Sequence, residues 1–247
     1  MADTKPPVAK GRGDVAQSRS SKPEVDAFLE QVRGLAPSGS GTGRLIFAMD
    51  ATMSRQPTWD LALQLQADMF HAVKEVGGLD VQLIYFRGFD ECRASKWVRD
   101  PDALARLMAQ VSCQGGYTQI GKVLTHAKRE SERARVNALV YVGDCMEEDI
   151  DELSRRAGEL GLLGLPVFLF QEGREPAAER AFREIARLTR GAYCQFDAGS
   201  AQQLRELLKA VAIFASGGRK ALRDFSDATK SSAAVLLLEQ LGSGKRE

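Results

Sequence analysis

The strongest constraint on this chain is the alternation, across residues 43–216, of short apolar runs with longer stretches of helical periodicity. Residues 45–49, 81–86, 138–142, 165–170 and 192–196 are mostly apolar and too short for typical helices, the pattern of strands buried on both faces. Residues 92–98 read as a weaker, more polar strand at a sheet edge. Between the strands, Pro57 opens a helix with an apolar stripe at Leu61, Leu65, Met69, Val73 and Val76, ended by Gly77-Gly78. Pro101 opens a second helix, reaching about Ser112. Gly115-Gly116 breaks the chain before a third, which carries Ile120, Val123, Leu124 and Ala127. An acidic helix follows residues 138–142, another spans 175–189, and a last one runs from about Ser200 to Ala215. Such alternation requires right-handed crossovers, so the expected fold is α/β: a doubly wound, mostly parallel sheet with helices on both faces.

The flanks differ in character. Residues 1–23 are polar and bring too little apolar surface to offset ordering entropy, so a disordered tail is expected. Arg12-Gly13-Asp14 within it is a chance tripeptide in this reading. Residues 24–42 form a short amphipathic helix (Val25, Phe28, Leu29, Val32, Leu35) and a Gly/Ser link. Residues 217–247 form a helical extension, with a helix over 219–241 that is apolar toward its end.

Thirty-four Lys and Arg residues against 33 Asp and Glu give a net charge of +1, which argues against a broad electrostatic footprint for nucleic acid or an anionic membrane. No apolar run approaches the ~20 residues that span a bilayer, and the first residues lack the apolar core of a signal peptide. Cys92, Cys113, Cys145 and Cys194 are scattered, with no CxxC pair and no histidine nearby, so zinc-site spacing is absent. Reduced thiols in a cytoplasmic protein are the expectation.

Ligands of open parallel sheets gather beyond the carboxyl ends of the strands, where the strand order switches. There the sequence places Asp50, Thr52 and Ser54 after the first strand, Thr118 after the Gly-Gly break, and Asp144 after the strand at 138–142. In an extended turn the alternation of Asp50, Thr52 and Ser54 directs all three side chains to one side. The five groups are hard oxygen donors, which suits Mg²⁺, with Mn²⁺ or Ca²⁺ able to substitute. Any one of them alone reads as a helix cap or a turn residue. Three segments meeting at one edge favour a site.

Asp50-x-Thr52-x-Ser54, Thr118 after Gly115-Gly116, and Asp144 after a buried strand together resemble the von Willebrand factor A (VWA) domain, in an intracellular, bacterial-type form. The resemblance covers roughly residues 43–216. It implies a Rossmann-like fold and a metal-ion-dependent adhesion site, in which Thr52, Ser54 and Thr118 contact the metal and Asp50 and Asp144 act directly or through water. Two positions depart from the family: threonine replaces the usual serine at Thr52, and Gly143-Asp144-Cys145 stands where Thr-Asp-Gly is common. Cysteine is bulkier than glycine and does not readily take a positive φ.

The resemblance implies a protein-binding module, not an enzyme, whose Mg²⁺ anchors an Asp or Glu of a partner protein. Proteins resembling this family often work in multiprotein complexes, some beside an AAA-type ATPase or a chaperone. Two alternatives compete. A metal-dependent phosphohydrolase would use Asp50 as nucleophile, but it would want a second Asp at the position Thr52 occupies. A metal-free scaffold would keep the fold alone. His71 and His126 fall in expected helices, and no Ser-His or Cys-His arrangement is evident. The acidic cluster Glu147, Glu148, Asp149, Asp151 and Glu152 reads first as dipole compensation at the start of its own helix, and second as a rim selecting basic partners.

Overall fold

The computed structural model describes residues 43–58, 79–196 and 201–229. The tail expected over 1–23, the helix and link over 24–42, nearly all of the helix opened by Pro57 (with His71) and everything past Thr229 lie outside the described residues.

The described elements are β1 (Gly43–Asp50), β2 (Leu79–Arg87), β3 (Glu91–Ala94), α1 (Pro101–Ala109), α2 (Ile120–Arg133) and β4 (Ala138–Gly143). They continue with α3 (Ile150–Leu162), β5 (Val167–Glu172), α4 (Pro176–Thr189), β6 (Ala192–Phe196) and α5 (Ala201–Thr229). One six-stranded sheet runs β3-β2-β1-β4-β5-β6. Every neighbouring pair is parallel except β2 and β3. The fold is the doubly wound α/β sheet expected from the alternation, and the polar strand is its antiparallel edge.

Alternation along β1 builds the two faces. Leu45, Phe47 and Met49 point to a core shared with Leu104 and Met108 of α1 and Leu208, Val211 and Phe214 of α5. Ile46 and Ala48 point the other way, to Val123 and Leu124 of α2, Leu153 and Leu160 of α3, and Phe182 and Ile185 of α4. Each large aliphatic or aromatic side chain so buried contributes about 1.5–3 kcal/mol. The Tyr141 ring stacks on Phe86 with centroids 6.3 Å apart and meets the edge of Phe182 at 5.3 Å, joining three elements on that second face.

Several boundaries differ from the sequence reading. The edge strand expected over 92–98 is Glu91–Ala94, and the helix expected to reach about Ser112 ends at Ala109. Two further differences have a clear physical cause. β5 starts at Val167, not residue 165, because Pro166 has no N–H for the ladder, although its carbonyl accepts from the Leu139 amide at 3.0 Å. The helix expected to stop near Ala215 runs unbroken through Gly217-Gly218 to Thr229. Glycine costs about 1 kcal/mol in a helix interior, but Ala221 and Phe225 beyond the pair still pack against the first core.

At the amino end of β1, Glu130 of α2 is a buried junction. It accepts from Trp97 Nε1 at 2.8 Å, from the Arg44 guanidinium at 3.2 Å and from Arg133 at 2.9 Å, while Arg44 stacks 3.8 Å over the Trp97 ring. The opposite end holds the site. β1 has β2 on one side and β4 on the other, so the strand order switches between β1 and β4. Met49 lies opposite Val142, which brings Asp50 and the Gly143-Asp144 turn side by side at the carboxyl edge.

Candidate metal centre

Backbone hydrogen bonds lace the loops of this edge together. The Ala51 amide donates to Phe86 O at 3.0 Å, and the Gln114 amide donates to Ala51 O at 3.0 Å. The Tyr117 amide donates to Gly88 O at 3.2 Å. A Cβ on Gly116 would lie 1.9 Å from that same carbonyl, so the close approach of the two loops requires glycine there. The Gly-Gly break read as a helix boundary is thus also a packing contact.

Asp50 is wholly buried. Its Oδ1 accepts from the Thr52 amide at 2.8 Å, while Oδ2 is buried with no hydrogen-bond partner. The hydroxyls of Thr52 and Ser54 lie 3.0 Å apart, the first buried and the second exposed. Asp144 Oδ1 is likewise buried with no partner. A carboxylate oxygen of Asp50, one of Asp144 and the Cys145 thiol all lie within 4.8 Å of one another.

Burial is the main reason the Asp50 carboxyl is pushed up to about 7; the nearby Asp144 adds to it, while the Thr52 hydrogen bonds and Arg55 oppose it. Two buried carboxylate oxygens without partners are costly in a folded protein. A divalent cation would satisfy both, so these residues fit one.

Thr118 enters from the third segment. Its amide donates to Glu147 Oε2 at 2.8 Å, and its hydroxyl accepts from the Glu147 amide at 3.1 Å. Of the five residues expected at the site, Asp50, Thr52 and Ser54 are therefore joined by hydrogen bonds, and Asp144 lies beside Asp50. Thr118 is fastened to the loop that carries Asp144.

The acidic cluster behaves differently from its first reading. Glu148 caps the neighbouring helix α2, accepting from the amides of Ile120 at 2.5 Å and Gly121 at 2.9 Å. Gln119, at the N-cap of α2, makes no side-chain cap and instead donates from Nε2 to Arg87 O at 3.2 Å. Asp149 caps α3 itself, accepting from the Glu152 amide at 2.9 Å. The dipole argument holds, but it is split between two helices.

Sequence reading missed two residues. Arg55 is 2% exposed, forms an ion pair with Glu172 at the end of β5, and adds positive charge near Asp50 and Asp144. It follows Thr52 by three residues in a 3-10 turn (Met53–Thr58), which places both on one face. That spacing was the available signal. Cys145 reads from sequence as a bulky substitute for glycine, or as a nucleophile beside Asp144 that lacks a recognisable base, and not as a ligand. Among the described residues Arg190 is the one non-glycine with positive φ, so Cys145 sits in ordinary backbone. Burial first, then the neighbouring Asp144, Asp50 and Glu147 carboxylates, push its thiol up to about 12.

His126 pairs with Gln82 Oε1 at 2.9 Å, a packing role. Cys92, Cys113, Cys145 and Cys194 form no disulfide with one another.

No protein-family model matches this chain, and no curated protein matches it. Solved structures do. A von Willebrand factor type A protein from Catenulispora acidiphila is similar over 70% of this chain and 43% of its own, at 17% identity and a TM-score of 0.57. The SpRpn10 VWA domain is similar over 68% of this chain and 94% of its own, at 14% identity and a TM-score of 0.55. Proximal thread matrix protein 1 from the mussel byssus, with a zinc-occupied MIDAS motif, matches over 70% of this chain and 46% of its own, at 15% identity and 0.55. This chain thus spans less than half of the first and third proteins but nearly all of the SpRpn10 domain. At such identities the likeness establishes a shared fold.

Proposed function

We propose that this chain, a von Willebrand factor type A domain by its fold, is a divalent-cation-dependent protein-binding module whose cation anchors an Asp or Glu of a partner. The observation that carries this reading is the convergence of the Asp50 and Asp144 carboxyls, each with one buried, unpartnered oxygen, at the switch point of the sheet. Asp50, Thr52, Ser54, Thr118 and Asp144 would hold the ion. The oxygen donors by themselves suit Mg²⁺, with Mn²⁺ and Ca²⁺ as substitutes. The zinc-occupied motif in the mussel protein supports a metal role for this edge of the fold.

When bound, the cation supplies an electrophilic position that exchanges water for a carboxylate. The chain's own residues set how strongly it does so. Thr52 and Ser54 bring neutral hydroxyls, so little of the ion's charge is cancelled, and the buried Asp50 keeps one flank of the site dry. Apolar surface stands beside this polar centre: Met53, Phe89 and Tyr117 are 53%, 76% and 59% exposed. Phe89 and Tyr117 meet edge to face with centroids 5.5 Å apart. An aromatic pair next to a charged anchor suits a protein interface.

The module has no catalytic step in this reading, since Thr52 occupies the position where a phosphohydrolase wants its second carboxylate. A cytoplasmic setting within a multiprotein complex, beside an ATPase or a chaperone, is part of the proposal. Among the described residues no helix is long and apolar enough to cross a membrane.

The test is calorimetric titration of Mg²⁺ and Mn²⁺ into the purified protein, joined to a pull-down in Mg²⁺ against chelator with Asp50→Ala as control. Absence of cation binding, together with interactions that ignore both chelator and the substitution, sinks the proposal. One observation favours a second reading, a metal-free scaffold: the buried Arg55 guanidinium already sets a positive charge near Asp50 and Asp144. A melting temperature that does not respond to divalent cations would favour it, because ligands that bind the native state raise stability by mass action.

A further inference from the structure

We propose that Cys145 is itself a ligand of this centre, so that the domain takes a thiophilic divalent ion of the Zn²⁺ class in preference to Mg²⁺. The inference rests on the cation-site reading above and names the ion that the site selects.

The geometry supplies three donors of the right kind. Three atoms no more than 4.8 Å apart share a point within about 2.8 Å of each, whereas Zn–S is about 2.3 Å and Zn–O about 2.0–2.2 Å. Closing that gap takes small side-chain rotations. Two of the donors come from carboxyls that each keep a buried oxygen without a partner, Asp50 Oδ2 and Asp144 Oδ1. The third follows Asp144 directly in the chain, on backbone that a non-glycine residue adopts without strain. The Thr52 or Ser54 hydroxyl, or a water, would complete a tetrahedral shell.

Ion chemistry then decides the occupant. Mg²⁺ demands near-octahedral oxygen coordination and gains little from sulfur, while Zn²⁺ and Co²⁺ accept mixed sulfur and oxygen shells in tetrahedral geometry. Coordination forms one metal–sulfur bond and breaks the S–H bond, and the proton leaves to buffer. The neighbouring carboxylates disfavour a free thiolate, but a bound dication reverses the local field.

Carboxylates alone also favour Zn²⁺ over Mg²⁺ to some degree, so the experiment must isolate sulfur. Chelator-treated protein is titrated with Co²⁺ and the thiolate-to-cobalt charge-transfer band is read in the near ultraviolet. The band is expected in the unmodified protein and in Cys113→Ser, displaced by stoichiometric Zn²⁺, and absent in Cys145→Ser, Cys145→Ala and Asp50→Asn. Zn²⁺ affinity should fall roughly tenfold or more in Cys145→Ser, on the scale of lost ligand-shell contacts, while Mg²⁺ affinity stays nearly constant. Far-ultraviolet circular dichroism confirms that each variant is folded. A band that survives Cys145→Ser and Cys145→Ala, or that never forms while Mg²⁺ still binds, overturns the Cys145 assignment and leaves the cation site standing. Failure of every divalent ion to bind overturns the site as well.

Discussion

Thr118 and Glu147 hold each other twice: the threonine amide donates to the glutamate carboxylate, and the glutamate amide donates to the threonine hydroxyl. Thr118 is one of the expected metal contacts, and Glu147 lies three residues past another. The pair therefore sets where the third segment of the site stands relative to the second. Thr118→Val keeps the shape but leaves the Glu147 amide without its acceptor. The expected cost is about 1 kcal/mol of stability, with a parallel loss of cation affinity, measured by urea unfolding and calorimetry. Charge reversal at Asp151, which makes no such bond in the site, should leave cation affinity unchanged. Equal effects at the two positions would mean that the acidic cluster acts only through its charge.

The Asp50 carboxyl predicts a pH dependence of definite sign. Its ordinary value is 3.8, and in the folded protein it is pushed up to about 7, chiefly by burial. Across that window the folded state of the metal-free protein holds a proton that the unfolded state has lost. Stability should then fall as pH rises from about 4 to about 7, and Asp50→Asn should flatten the slope. Cation affinity should run the opposite way, rising with pH until Asp50 is ionised. Denaturant melts of chelator-treated protein across this range, with and without the substitution, check both.

Phe89 and Tyr117 test the interface without touching the ion. Replacing either with alanine should weaken partner binding about tenfold, the scale of an aromatic anchor, and leave Mg²⁺ and Zn²⁺ titrations unaltered. Because Phe89 is so exposed, its loss should change stability by less than about 0.5 kcal/mol. A partner that binds both variants as well as the original docks elsewhere.

Glu130 separates fold from site. Burial raises its carboxyl, but the bond from Trp97 and the charges of His126 and Arg133 outweigh that and hold it below the ordinary value. Its contribution is thus present above the unfolded carboxyl's pKa and is lost as pH falls through the lower folded one. Glu130→Ala strands Trp97 Nε1 and takes the carboxylate from Arg44, which keeps its bond to Ala134 O, and should cost about 3 kcal/mol, read as a lower unfolding midpoint. Cation affinity measured well below that midpoint should not move.

Local pattern carried much of this molecule. The run Leu45 to Met49 announces a strand buried on both sides, and Asp50, Thr52 and Ser54 at its end follow the two-residue period of an extended turn. What sequence could not display were facts fixed by a distant partner. Arg55 is buried because Glu172, at the end of another strand, is there to meet it. Glu148 caps α2 and not the helix it precedes, since the sheet brings those amides to it. The direction of the Cys145 thiol depends on how the loop leaves β4, which no periodicity encodes. The helix through Gly217-Gly218 persists because the apolar cluster extends beneath Phe225, a tertiary fact that overrides a local signal.

The single carboxylate of Glu148 bridging two amides of α2 has an evolutionary and engineering consequence. The 143–149 segment cannot be transplanted alone: moved to another sheet, it would arrive with a glutamate lacking its helix and leave behind a helix lacking its cap. Residues 118–121 and 144–148 are one inheritable unit, separated in the chain yet exchangeable only together.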